Sequence, residues 1–206
     1  THLTEIIKEH AAEILGRQET QNLLDNLQKT NAALVEEVVP NLLTVGEVEK
    51  VLANLLSERI SIRDMSTILE VLADYAPATK DTDVLTEYVR HAMARQITQQ
   101  NVQNGVLPCI TLDPAIENKI AGSVQRTEHG SYVSLDPDTM QKLLTALQEQ
   151  LHKLTDQGYQ PLVLTSPTVR PYFRNLVERS IAGLIVLSHA EIEQNVEIQI
   201  LGVVKI

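Results

Sequence analysis

The spacing of apolar residues changes character once along this chain, and that single change limits the folds open to it. From Leu3 to Met93 the apolar positions keep helical intervals. Leu3, Ile6, Ile7, Ile14 and Leu15 form one stripe, Leu23, Leu24 and Leu27 a second, and Val48, Val51, Leu52, Leu55 and Leu56 a later one. Met65, Ile68, Leu69 and Leu72 repeat the pattern, as do Val84, Leu85, Tyr88, Val89 and Met93. Beyond that point, short apolar runs of strand length at 107–112, 161–165 and 184–188 alternate with helical stripes. A run, a helix opening at Ser166-Pro167 and a second run make a βαβ unit, which places two parallel strands side by side. The expected class is α+β: an N-terminal helical bundle followed by a small α/β domain.

Local signals punctuate this pattern. Thr44 with Glu47 is a capping box, and Asp113-Pro114 and Asp136-Pro137 each pair an N-cap with a proline at the first helical position. Ser61 with Asp64 three residues on is expected to cap the helix that buries Met65. Gly16, Pro40 and Pro77 end helices, so residues 33–39 form a short segment of their own. The polar stretch 99–105 is expected to be a flexible link between halves, and 125–129 a polar connection. Ile198 and Ile200 alternate with Glu197 and Gln199, so the last strand is expected at a sheet edge with one wet face.

The aromatic fraction is 3%, with no Trp and one Phe, so the cores must be aliphatic. A net charge of −10 without any Lys/Arg run opposes binding to nucleic acid or anionic lipid, both of which need a basic footprint. The single Cys109 excludes an internal disulfide and a cysteine-built metal site. No apolar run approaches the roughly 18 residues that would cross a bilayer. The opening Thr1-His2-Leu3 has neither Met nor a signal-like segment, and the chain is expected to belong to something longer.

Catalytic constellations are hard to assemble from what is present. Neither GxxxxGK[ST] nor GxGxxG occurs. The turn at Ser166-Pro167-Thr168, with Arg170 and Arg174 nearby, is a candidate anion site, although every strand-to-helix turn shares its geometry. Cys109 with His129 or His189 is a candidate nucleophile pair, set against the commoner role of a buried thiol as a small hydrophobe. The histidines show no HExxH, and Glu36-Glu37 and Glu191 with Glu193 read as solvated faces. The expectation is a non-enzyme needing no cofactor. Interaction chemistry remains: a mixed-charge flank carrying Glu47, Glu49, Lys50, Glu58, Arg59, Arg63 and Asp64.

Thr1-His2-Leu3, Gly16-Arg17-Gln18-Glu19, Ile62-Arg63-Asp64-Met65, Arg95-Gln96-Ile97-Thr98 and Val186-Leu187-Ser188, in this order and spacing, resemble segments of the FlhA family. That family is the large membrane component of the flagellar and type III secretion export apparatus. The resemblance implies a polytopic membrane protein whose C-terminal cytoplasmic region forms a ninefold ring at the cytoplasmic face of the cell membrane. There it docks export chaperones with their substrates and components of the export ATPase complex. It further implies that residues 1–25 end a preceding subdomain, that 26–100 are the helical ring-forming subdomain and that 106–206 are the terminal α/β subdomain. Thr1 would lie at the edge of the chaperone pocket, and Glu58, Arg59, Arg63 and Asp64 become the expected ring contact. Two rival readings stand beside this one. One is the homologous component of a virulence secretion system. The other is a soluble enzyme with its site at the carboxyl ends of the second-half strands, near 165–168 and 188–189.

Overall fold

The computed structural model describes residues 1–206 and divides into two units, Thr1–Met93 and Ala94–Ile206. The first is entirely helical: α1 (His2–Glu9), α2 (Ala11–Ile14), α3 (Arg17–Val38), α4 (Val45–Ser57), α5 (Met65–Tyr75) and α6 (Thr82–Ala92). Helix α4 starts where its capping box requires. The Glu47 N–H donates to the Thr44 hydroxyl at 3.1 Å, and the Thr44 N–H donates to the Glu47 carboxylate at 2.9 Å. Val48, Val51, Leu52 and Leu55 then line its buried side. Such fully buried aliphatic side chains contribute about 2 kcal/mol each.

Two expectations for this unit need correction. The stripes at 23–27 and 33–39 belong to one helix, α3, interrupted at Asn31, whose φ of −135° and ψ of 53° are non-helical. The cap of α5 is Asp64 itself: its carboxylate accepts from the Thr67 N–H at 3.1 Å and the Thr67 hydroxyl at 2.6 Å. Ser61 instead accepts from the Arg63 N–H, two residues on, at 3.3 Å.

The second unit contains α7 (Ala94–Asn101), β1 (Val106–Leu112), α8 (Pro114–Gly122), β2 (Val124–Thr127), β3 (Gly130–Val133), α9 (Pro137–Thr155), β4 (Leu162–Thr165), α10 (Arg170–Val177), β5 (Ile185–Ser188), a 3-10 turn (His189–Glu191) and β6 (Glu197–Val204). Four strands form a parallel sheet in the order β5-β4-β1-β6, with β4-α10-β5 as the expected βαβ unit. One sheet face carries Ile110, Val163 and Val186 against Leu143 and Leu147 of α9 and Phe173 of α10.

The edge position of β6 agrees with the sequence, but its regular alternation does not survive. The pairing with β1 shifts after Cys109↔Ile200, where Ile110 pairs with Gly202, so Leu201 is an extra residue. The polar run 125–129 also hides a hairpin, β2 with β3.

The stretch 99–105 is more ordered than its composition suggests. Residues up to Asn101 complete α7, which is fixed to the 3-10 turn by Thr98. A tight turn follows at Asn104 (φ 52°) and Gly105 (φ 79°), with Gln103 and Val106 exchanging backbone hydrogen bonds of 2.8 and 3.0 Å. Two consecutive positive φ values are the signature that Asn-Gly satisfies best.

Candidate functional site

The charged flank expected to make contacts lies at the corner between α4 and α5, and the structure assigns its residues different tasks. Helix α4 ends in a Schellman arrangement: the Ile60 N–H reaches the Leu55 carbonyl at 3.0 Å and the Arg59 N–H the Leu56 carbonyl at 2.9 Å. This holds Arg59 at a φ of 59°, where glycine is the easier residue. Its guanidinium lies near the carboxylates of Glu5 and Glu9 on α1, at 3.4 and 3.7 Å.

Glu58 is turned inward. Its carboxylate meets the guanidinium of Arg90 at 3.2 Å, with side-chain exposures of 12% and 2% respectively. Sequence reasoning placed Glu58 on a wet flank and passed over Arg90, because the two lie 32 positions apart and only folding brings them together. Asp64 is occupied as the α5 cap. Arg63 is exposed, and its side chain makes no hydrogen bond or ion pair.

The Asp64 cap carries a pH signature. Hydrogen bonds from the Thr67 hydroxyl and backbone hold its carboxyl below the ordinary range. A depressed folded pKa contributes stability above the unfolded value near pH 4, and that contribution is lost as pH falls through the folded value. Asp64→Ala should therefore lower stability by about 1 kcal/mol at neutral pH, and the difference from the parent should shrink below pH 4 in urea titrations. An unchanged gap at pH 3 would contradict this account.

Thr1 caps α1, its hydroxyl oxygen accepting from the Thr4 N–H at 3.3 Å. Leu3, Ile6 and Ile7 behind it are exposed, and α1 buries no residue.

The remaining sequence candidates are filled by the protein's own groups. The Ser166 N–H, at the turn that suggested an anion site, donates to the Glu117 carboxylate at 3.0 Å. Arg170 is buried. Its Nη1 donates to the Val186 carbonyl at 3.0 Å and its Nε lies 3.6 Å from Glu191. Glu191, read as solvated, is fully buried and also accepts from the Ser188 N–H at 3.0 Å. Cys109 is buried and its thiol is pushed up to about 11 by desolvation, while His129 and His189 are exposed. A thiol held so strongly protonated is a poor nucleophile. No helix is long and apolar enough to cross a membrane.

The segments that carried the family resemblance have structural tasks. Glu19 accepts from the Gly16 N–H at 3.0 Å, and Arg17 pairs with Glu49 at 2.9 Å across Gly46, whose missing side chain leaves room for the guanidinium. Ile97 is buried, and the Thr98 hydroxyl donates to the Glu191 carbonyl at 2.8 Å while accepting from the Glu193 N–H at 3.1 Å.

Comparison with known proteins gives a consistent picture. The model of the FHIPEP family matches residues 1–197. The chain is 48% identical to the flagellar biosynthesis protein FlhA of Bacillus subtilis (strain 168), over all of this chain and 31% of that protein. Chlamydia pneumoniae CdsV, in the structure of its complex with the CdsO protein, superposes with a TM-score of 0.91 at 34% identity, over 99% of this chain and 60% of that one. The nonameric EscV cytosolic domain from the type III secretion system superposes with a TM-score of 0.85 at 30% identity, over 99% of this chain and 60% of that one.

Proposed function

The chain belongs to the FHIPEP family, and on that premise we propose that it forms the later part of the cytoplasmic region of a flagellar export-gate protein, acting as a non-enzymatic docking platform that assembles into a ring. It spans 31% of the length of the Bacillus relative, so the activity of the whole protein is inferred from this portion. Identity of 48% to a flagellar member, against 34% and 30% to CdsV and EscV, supports the flagellar assignment over the virulence one. We assign residues 1–25 to the end of a preceding subdomain with Thr1 at the edge of a chaperone pocket, 26–100 to ring formation and 106–206 to the terminal subdomain. The exposed apolar face of α1 suits a helix completed by another part of the protein.

The observation that carries the ring reading is Arg63. In Ile62-Arg63-Asp64-Met65, Asp64 caps a helix and Met65 is buried, while the Arg63 side chain is exposed and uncommitted beside a rigid corner. A relative of the same fold is nonameric, and a ring of that kind needs exposed side chains of this sort where neighbouring copies meet. Arg63→Glu in the full cytoplasmic region should leave the melting curve unchanged and shift sedimentation from assembled towards monomeric species. Parent-like sedimentation would remove Arg63 from the contact. For docking, a nitrogen-15-labelled sample titrated with a late-stage export chaperone bound to its substrate should show amide shifts within 1–25. A silent spectrum would remove the chaperone from this portion's role. The CdsV–CdsO complex supports binding of a partner protein in the family, and docking of export ATPase components here rests on the family resemblance.

A further inference from the structure

The chain has few aromatic residues, yet two of them stack against each other at the surface of the first unit. Tyr75, at the end of α5, and Tyr88 of α6 lie face to face with ring centroids 3.9 Å apart and planes 6° apart. His91 meets Tyr88 edge-on at 6.4 Å. Val84, one turn before Tyr88, is 40% exposed, as is Tyr75. On α6, residues 84, 88 and 91 share one side. Leu85, Thr86, Val89 and Arg90 occupy the buried side, so the opposite side of the helix carries the exposed Val84 and the half-buried Tyr88 and His91 where charge is the usual covering.

On the two helices that form this stripe, acidic residues outnumber basic ones. Helices α5 and α6 carry Glu70, Asp74, Asp83 and Glu87, and Arg90, their one Lys or Arg residue, is buried against Glu58. The loop between them adds Lys80 and Asp81, which offset each other. A tyrosine face attracts cations, and arginine stacks on it best because its planar guanidinium is weakly hydrated.

We propose that this face docks an arginine-bearing amphipathic segment of a partner protein, with the guanidinium over the open side of the Tyr75–Tyr88 stack and apolar side chains on Val84. A second copy of this chain is a poorer occupant, because it would set one acidic face against another in a protein of net charge −10. An anionic lipid surface is opposed for the same reason.

The test is a titration of the labelled 206-residue chain at about 0.15 M salt, where distant surface charges are screened. The probe is a helical peptide of leucine and arginine, with a glutamate-for-arginine counterpart as control. The expected result is amide shifts confined to the neighbourhood of Tyr75, Val84, Tyr88 and His91 with the arginine peptide alone. Tyr75→Ala should weaken binding about fivefold, the scale of one exposed cation–π contact, and Tyr75→Phe should restore it. Both variants alter an exposed side chain, and a dispersed spectrum verifies that each is folded. Shifts elsewhere, equal response to the glutamate peptide, or a Tyr75→Ala affinity matching the parent would each overturn the proposal. The same shifts on raising protein concentration without peptide would overturn it in favour of self-association.

Discussion

Glu191→Ala should destabilise the second unit by about 3–5 kcal/mol, a large share of what holds a domain of this size together. Glu191 and Arg170 are both almost completely buried, and their attraction works where water cannot screen it. Removing the carboxylate leaves a buried guanidinium facing the Val186 carbonyl and deprives the Ser188 N–H of its acceptor. Glu191→Gln should fall between parent and alanine, because the amide oxygen still accepts from Ser188 while the charge is gone. Replacing both partners by methionine should recover most of the loss, since the net value of a buried pair is small beside the cost of a stranded half. Urea unfolding of the four proteins checks this order. An alanine variant within about 1 kcal/mol of the parent would show that the pair is not holding β5 to α10.

Glu58→Ala should cost the first unit about 3 kcal/mol, again by stranding a buried guanidinium, here that of Arg90. This bears on how assembly defects are read. Glu58 sits beside Arg59 and Arg63 in sequence, so loss of the proposed ring in a Glu58 variant would resemble the loss of a contact. The geometry assigns that outcome to unfolding of the helical unit instead. Thermal melting followed by circular dichroism separates the two: Glu58→Ala should melt well below the parent and Arg63→Glu should not. If Glu58→Ala melts with the parent and still fails to assemble, the carboxylate belongs to the surface after all.

What the sequence made legible was whatever is written locally. Thr44 with Glu47, Asp113-Pro114 and Asp136-Pro137 lie within a single helical turn of the groups they cap, and each opens a helix where expected. The βαβ unit was readable for the same reason, since strand, turn and helix follow one another without a gap. The pairs Glu58–Arg90 and Arg170–Glu191 were not readable, because spacing alone cannot tell a buried charge from a solvated one. The α10 start at Arg170 was missed too, since Ser166-Pro167 opens only a turn before it. The extra residue Leu201 in β6 is invisible until its partner strand fixes the register. The family resemblance marked Arg63, and only the folded chain shows that Asp64 and Met65 beside it are engaged while its own side chain is exposed.

The bond between the Ser166 N–H and Glu117 has a further consequence. In parallel sheets of this kind, the notch where a strand hands over to its helix commonly receives a phosphate or carboxylate from solution. Here the occupant is tethered to the same polypeptide, on α8. Because it cannot diffuse away, its effective concentration is about millimolar or higher, and dissolved nucleotides or metabolite anions compete poorly against it. The terminal unit thus meets this backbone donor with a carboxylate of its own, and the Ser166 N–H is not left open to an anion from solution.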